Sequence, residues 1–198
     1  MESTFFTVMN RKWYYGLLLI VNFLAIAFSM FACMYTVVTN EASVWLRISA
    51  GVCVLSMLGA FLYVLLFCQK YASFALRSFF CLYGISVLVN AVNAVVTSAY
   101  VAEKILGAAF CAATFVCLII LAFGKNLGKK RSYILCAILT VLNAAALIVG
   151  ICLSPSLRDG TVRGTVFLYH LISQLTLSAS TWMMTFAKYA DKEARGSH

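Results

Sequence analysis

Residues 14–38 read YYGLLLIVNFLAIAFSMFACMYTVV and follow Arg11, Lys12 and Trp13. The run contains no charged residue, and it is long enough to cross hydrocarbon as a helix, which takes about 20 apolar residues. It exceeds the apolar segment of a signal peptide, about 7–15 residues, and it lacks a clear small-residue cleavage site. We therefore predict a first membrane span that remains in the protein.

The rest of the chain repeats this pattern. Apolar residues make up 64% of the sequence and charged residues only 11%, and the mean hydropathy is +0.97. An average globular sequence is roughly half apolar, so a soluble domain of this length could not bury so much apolar surface. We predict an all-α polytopic membrane protein with six transmembrane helices in a single bundle. The predicted spans are 14–38, 45–68, 74–100, 105–123, 133–153 and 163–187.

The predicted connections between these spans are short. They leave no room for a soluble domain, so we expect successive helices to form antiparallel hairpins and residues 1–194 to form one transmembrane domain. The only proline, Pro155, falls in a connection, which predicts spans without a proline kink. Residues 195–198 are typical of a purification-tag remnant and are set aside.

Lysine and arginine are distributed unevenly between the two predicted ends of the bundle. With the N-terminus in the cytoplasm, that side holds eleven bases and three acids, whereas the other side holds four bases and three acids. The resulting net charges of +8 and +1 account for the +9 of the whole chain. Because cytoplasmic loops are enriched in lysine and arginine, we predict that the N- and C-termini are both cytoplasmic. The expected location of the protein is the plasma (inner) membrane.

Several function classes fit the composition poorly. The basic residues are split among short loops and helix ends, without the continuous stripe typical of nucleic-acid binding, so no nucleic-acid partner is predicted. The eight cysteines form no Cys-x-x-Cys pair, and nearly all lie in apolar runs, where cysteine acts as a small hydrophobe. No metal and no cofactor is predicted. The middle of each span lacks carboxylates, which argues against an ion-driven pump.

Uncharged polar residues form stripes on several predicted spans. Those on the third span are spaced by four, three and four residues, which places them on one helical face. The sixth span has a similar stripe, in which two members are also four residues apart. The candidate ligand-binding residues are Ser86, Asn90, Asn93 and Thr97 on the third span, His170, Ser173 and Gln174 on the sixth, Asn22 on the first and Asn143 on the fifth.

Two interpretations of these stripes stay open. The polar groups line a cavity, or they are interhelical hydrogen bonds that hold the bundle together. In the first case, Asn90, Asn93, His170 and Gln174 should converge on a shared space. The second span differs from the others, since Ser49, Cys53, Ser56 and Ala60 form a face of small residues that permits close approach of a neighbouring helix.

Three functions are compatible with this pattern. The first is a small transport-type protein, or the substrate-binding subunit of a transporter, that binds an uncharged or weakly polar solute within the bundle. The second is a non-catalytic scaffold or regulatory subunit that binds other membrane proteins, and the third is an intramembrane lipid-modifying enzyme. The expected partners are membrane lipids, a small-molecule solute, and a membrane-protein partner subunit or a second copy of the chain. No Gly-x-Ser-x-Gly motif accompanies His170, so no catalytic residue is assigned.

The architecture resembles that of one known class of transport proteins. In size, predicted helix count, basic cytoplasmic rim and lack of soluble domains, the chain is similar to the substrate-binding subunits of energy-coupling-factor vitamin transporters. The resemblance covers the whole chain but involves no sequence motif, so it assigns no residue. It implies a solute site enclosed by the helices and a partner subunit.

Overall fold

The computed structural model describes residues 13–39, 42–65, 72–98, 100–124, 127–153 and 162–196. These residues form six α-helices and no strand. The helices are α1 (Trp13–Val38), α2 (Val44–Leu65), α3 (Ala72–Thr97), α4 (Val101–Phe123), α5 (Lys129–Leu153) and α6 (Val162–Gly196). The predicted all-α fold is therefore confirmed.

The helix boundaries differ from the predicted spans where the chain becomes polar. Helix α4 begins at Val101 and α5 at Lys129, each four residues before the predicted start. Helix α6 continues to Gly196, nine residues past its predicted end. Hydropathy marks where a chain enters hydrocarbon, whereas a backbone helix can continue into water as long as its hydrogen bonds do. At about 1.5 Å per residue, the 35 residues of α6 exceed the length that a bilayer core requires.

Four helices are long and apolar enough to cross a membrane. Their apolar segments are Val44–Tyr63 in α2, Ser73–Thr97 in α3, Val101–Phe123 in α4 and Lys129–Val149 in α5. Within the described residues, α1 contributes a shorter apolar segment, Phe23–Val38. Such helices indicate an integral membrane protein.

The helices form a closed ring in chain order. Each helix packs against the next one, and α6 returns to pack against α1. Helix α6 also reaches across the ring to α2 and α3. A polar residue of α6 can therefore meet side chains from opposite sides of the bundle.

Two pairs of neighbouring helices run antiparallel, as their contacts show. Along α2 and the residue before it, Ser43, Ser49 and Ser56 meet Asn93, Ser86 and Phe79 of α3, so the partner numbers fall as the α2 numbers rise. The same reversal relates α5 to α6, where Ser132 pairs with Tyr189, Cys136 with Thr185 and Thr140 with Ser178. The predicted hairpin arrangement is confirmed for these pairs of helices.

The small-residue face predicted on α2 is buried against α3. Ser49, Cys53, Ser56 and Ala60 are all fully buried. A Cβ atom added at Gly59 would lie only 3.4 Å from the backbone Cα of Phe79. The two backbones are this close because no large side chain stands between them, and the prediction of close helix approach is confirmed.

The apolar core includes side chains of all six helices, most of them from α2 and α3, and large apolar side chains also cover the outside. Phe79, Phe80 and Tyr83 of α3 are the largest fully buried side chains. Many phenylalanine, leucine and isoleucine side chains of the other helices are exposed, among them Phe31 and Ile138. An exterior of this kind suits lipid, which does not penalise exposed apolar surface.

Candidate functional site

The candidate site centres on Gln174, which lies in the first half of α6 and is only 6% exposed. Its amide nitrogen Nε2 donates to Cys53 Sγ of α2 at 3.1 Å and to Ser86 Oγ of α3 at 3.2 Å. An amide nitrogen has two hydrogens, so both are used in these two contacts. Gln174 thereby connects α6 to two other helices.

The α2 and α3 partners of Gln174 are themselves hydrogen-bonded. Ser49 Oγ donates to the backbone oxygen of Ser86 at 2.9 Å, and Ser86 Oγ donates to the backbone oxygen of Ser49 at 3.1 Å. Cys53 Sγ lies 2.8 Å from Ser86 Oγ. We refer to Ser49, Cys53, Ser86 and Gln174 as the polar junction. Three of these four side chains are completely inaccessible to solvent, and Gln174 is nearly so.

Tyr83 extends the junction towards α5. The ring lies one turn before Ser86 on α3 and is fully buried. Its hydroxyl donates to the backbone oxygen of Gln174 at 3.1 Å and accepts from Nδ2 of Asn143 at 2.9 Å. Asn143 is therefore joined to the junction through Tyr83.

Helix α1 borders the junction on the other side. Ser173 Oγ donates to the backbone oxygen of Tyr169 at 2.8 Å and lies 3.5 Å from the backbone oxygen of Ser29. Cys33, one turn after Ser29, neighbours both Cys53 and Ser173. Five of the six helices thus bring polar groups to the region around Gln174.

Two buried polar atoms in this region lack a protein partner. Among the described residues, Gln174 Oε1 and Ser29 Oγ are the buried side-chain oxygens that make no hydrogen bond. Gln174 is 94% buried and Ser29 is completely buried. A buried acceptor without a donor costs about 1–3 kcal/mol, so such an oxygen marks a position where a further group would be stabilised.

A second polar seam, between α5 and α6, differs in this respect. Ser132 and Tyr189 share a hydrogen bond of 2.7 Å, and Tyr189 OH also donates to the backbone oxygen of Leu127 at 2.8 Å. The indole nitrogen of Trp182 donates to Thr140 Oγ1 at 2.8 Å. These groups satisfy one another, which is what interhelical packing requires. Among the described residues, the buried oxygens without a partner therefore belong to the Gln174 region and not to this seam.

Four of the predicted site residues come together. Ser86 and Gln174 are in direct contact, Asn143 joins them through Tyr83, and Ser173 lies next to Gln174 on α6. Whether they bind a solute stays a prediction.

Two of the predicted residues lie elsewhere on α3. Asn93 Oδ1 accepts from Ser43 Oγ at 2.5 Å, and the exposed Thr97 donates to the backbone oxygen of Asn93 at 2.7 Å. Residues 86 and 97 share a helical face, but they are about 16 Å apart at 1.5 Å per residue. Among the described hydrogen bonds, α6 meets this face at Ser86.

The remaining three predicted residues lie on α1, α3 and α6. Asn90 is half-buried on α3, between Ser86 and Asn93, and takes part in an interaction. Asn22 lies on α1 and His170 on α6, but their side chains lie outside the described residues. The predicted convergence of His170 with Gln174 stays a prediction.

Tyr83 was not among the predicted site residues. An aromatic residue in an apolar span is normally core, and Tyr83 is indeed part of the apolar core. Its position three residues before Ser86 and seven before Asn90 extends the polar stripe on the same helical face. That spacing is the signal that could have identified it. Cys53 joins the junction as a hydrogen-bonding group as well as a small side chain.

The chemistry of the region is that of hydrogen bonding. In the part of the chain that the structure describes, no group of three or more His, Cys, Asp or Glu residues could hold a metal ion. The junction itself consists of hydroxyl, thiol and amide groups, which are suited to orienting an uncharged molecule. The chain matches no protein-family model, no curated protein and no solved structure.

Proposed function

We propose that the protein is a small integral membrane protein of the transport type, or the substrate-binding subunit of a transporter, which binds an uncharged or weakly polar solute between its helices. The observation that carries the proposal is the Gln174 amide. Its nitrogen is held by α2 and α3, while its buried oxygen has no partner among the described residues. A side chain fixed by one end and unpaired at the other is arranged to orient a ligand.

The junction favours an uncharged solute. Its four residues and Tyr83 carry no formal charge at neutral pH. A charged solute in hydrocarbon would need a counter-ion or water, since an unpaired charge there is costly. Selectivity would instead come from the direction of hydrogen bonds, because a site that bonds a polar group discriminates against analogues lacking it.

We propose that the protein crosses the plasma membrane six times and that both termini lie in the cytoplasm. Helices α1 and α6 would cross the membrane in addition to α2, α3, α4 and α5. The basic cytoplasmic rim would contact anionic lipid headgroups, each base contributing about 1 kcal/mol near the surface. The solute would enter from one rim of the ring, and a partner subunit or second copy would pack against the outer face.

The scaffold alternative depends on a small-residue groove that faces lipid. The predicted small face of α2 is instead buried against α3 and is therefore not offered to another protein. This leaves solute binding as the better supported function. A catalytic role would need two reactive groups poised together, and the junction offers no charged acid or base.

The topology can be tested by cysteine labelling from one side of the membrane. We expect Ser156→Cys to react with a membrane-impermeant maleimide on intact cells, and Asn126→Cys to react only after the cells are opened. The reason is that residue 156 lies in a predicted outer connection and residue 126 in a basic cytoplasmic one. The unaltered chain, with its eight cysteines, provides the background. The opposite labelling pattern would reverse the proposed orientation.

Solute binding can be tested by thermal unfolding of the protein in lipid nanodiscs with a panel of small amides, alcohols and heteroaromatic compounds. A solute at 100 times its Kd should stabilise the folded state by about 2.7 kcal/mol. We expect Gln174→Leu to abolish this stabilisation because it removes the amide that would bind the solute.

Thr176→Val is the matched control for this substitution. Thr176 lies two residues along α6, on the opposite side of the helix, and its hydroxyl donates to the backbone oxygen of Ile172. This variant should keep the full solute response. Equal responses in Gln174→Leu and the unaltered protein would place the site elsewhere, and no response to any solute would favour the scaffold function.

A further inference from the structure

The hydrogen-bond donors around Gln174 are already used within the protein. Both amide hydrogens of Gln174 go to Cys53 and Ser86, and the Tyr83 hydroxyl donates to the Gln174 backbone. The hydroxyls of Ser49 and Ser86 donate to each other's backbone oxygens. The donors of Ser49, Ser86, Gln174 and Tyr83 are therefore occupied within the protein.

Two other buried hydroxyls, one on α6 and one on α1, are also occupied within the protein. Ser173 donates to the backbone oxygen of Tyr169, and Thr36 donates to that of Ala32. A serine or threonine that bonds the carbonyl one turn back uses its only hydrogen but keeps an oxygen lone pair. What remains available on these side chains is acceptor capacity.

The unpaired oxygen of Gln174 points to the same requirement. Oε1 can only accept a hydrogen bond, and it is buried without a donor among the described residues. Ser29 Oγ, also unpaired, lies on α1 one turn before Cys33, which neighbours Cys53 of the junction. The region therefore offers one fixed acceptor and one hydroxyl that can either donate or accept.

From this balance we infer that the ligand is an uncharged hydrogen-bond donor, whose N–H or O–H group donates to Gln174 Oε1. The inference rests on the proposed function and deepens it by naming the chemistry of the solute. A molecule that only accepts hydrogen bonds could pair with the Ser29 hydroxyl but would leave Oε1 unpaired. Ser29 Oγ would take a second polar group of the ligand.

A cation is the other species that seeks oxygen acceptors, and the charge distribution disfavours it. The junction, Tyr83 and Asn143, which are hydrogen-bonded to it, and Ser173, which is adjacent to it on α6, include no carboxylate. The chain as a whole carries a net charge of +9. A cation entering this region would lose its hydration without gaining a counter-charge, which hydrocarbon surroundings make costly.

The test uses pairs of probes with the same shape that differ in one donor. Pyrrole and furan form one pair, indole and benzofuran the other, and in each pair only the first compound has an N–H group. In nanodiscs, pyrrole or indole should raise the unfolding temperature more than its oxygen counterpart. The difference within a pair should disappear in Gln174→Met, which keeps the length of the side chain but removes its amide, and it should persist in Thr176→Val.

Infrared spectroscopy provides a readout that leaves Gln174 itself unaltered. The chain has only two glutamines, Gln69 and Gln174. In a Gln69→Asn variant labelled with ¹³C at the glutamine side-chain carbonyl, the single labelled band reports Gln174 alone. Pyrrole should shift this band to lower wavenumber, as expected when a donor bonds Oε1, whereas furan should leave it unchanged.

The outcomes separate this inference from the proposed function. Equal stabilisation by pyrrole and furan would overturn the donor requirement while leaving solute binding intact. Stabilisation by pyrrole without a shift of the Gln174 band would place the donor contact elsewhere and would also overturn the inference. A band shift produced by sodium or ammonium chloride alone would replace the uncharged donor with a cation. No band shift with any probe would mean that Oε1 is met by water or left unpaired, and the inference would fail.

Discussion

Replacing Gly59 with leucine is expected to destabilise the protein strongly, because α2 and α3 leave no space for side-chain atoms beyond Cβ at this position. An added Cβ would already lie 3.4 Å from the Phe79 backbone, so the further carbons of leucine would push the helices apart. Overpacking of a close contact costs about 1–3 kcal/mol. We expect the upper end here, because separation would also strain the hydrogen bond from Ser56 to the backbone oxygen of Phe79. Thermal unfolding in nanodiscs measures the loss.

Gly51→Leu is the matched control on the same helix. A Cβ added at Gly51 would meet nothing within 4 Å. Both substitutions gain about 1 kcal/mol of helix propensity, so the difference between them isolates the packing effect. Gly59→Ala should be tolerated, since a contact of 3.4 Å is close to ordinary packing. Equal stability of the two leucine variants would contradict the close approach of α2 and α3.

The sequence predicted the helices well because hydrophobic length and helix formation coincide in a membrane protein. Each predicted span corresponds to one described helix, and the small face of α2 is buried as expected. The errors lie at the ends, such as the extension of α6 to Gly196, where charged residues continue a helix beyond the apolar run. Hydropathy has no means of detecting that continuation.

The site was harder to predict than the helices. A stripe of polar residues identifies one face of a helix, but it does not identify the neighbouring helix that contacts this face. Ser86 and Asn93 share a face of α3, yet Ser86 meets Gln174 and Asn93 meets Ser43. Which end of the stripe contacts α6 depends on the closure of the ring, and that closure is a property of all six helices. The unpaired oxygen of Gln174 depends on the same closure, since it follows from where Cys53 and Ser86 hold the amide nitrogen.

Ser86→Ala is expected to weaken the bundle more than any other removal of a single hydroxyl in the junction. Ser86 Oγ contacts Gln174, Cys53 and the backbone of Ser49, and it is completely buried. An average interhelical hydrogen bond contributes only about 0.6 kcal/mol in a membrane. The loss should be larger here, about 1–3 kcal/mol, because the buried amide hydrogen of Gln174 is left without its acceptor. Unfolding in nanodiscs gives the value.

Thr97→Val on the same helix is the control for Ser86→Ala, because it removes an exposed hydroxyl that bonds only the Asn93 backbone. It should change the free energy of unfolding by less than about 0.5 kcal/mol. A double-mutant cycle of Ser86→Ala with Gln174→Met then measures how strongly the two side chains depend on each other. Residues in one hydrogen-bond network show coupling energies of about 0.5–3 kcal/mol, whereas independent sites are additive. Additive losses would mean that Ser86 does not hold the Gln174 amide, and the orientation of Oε1 on which solute binding depends would then lack its support.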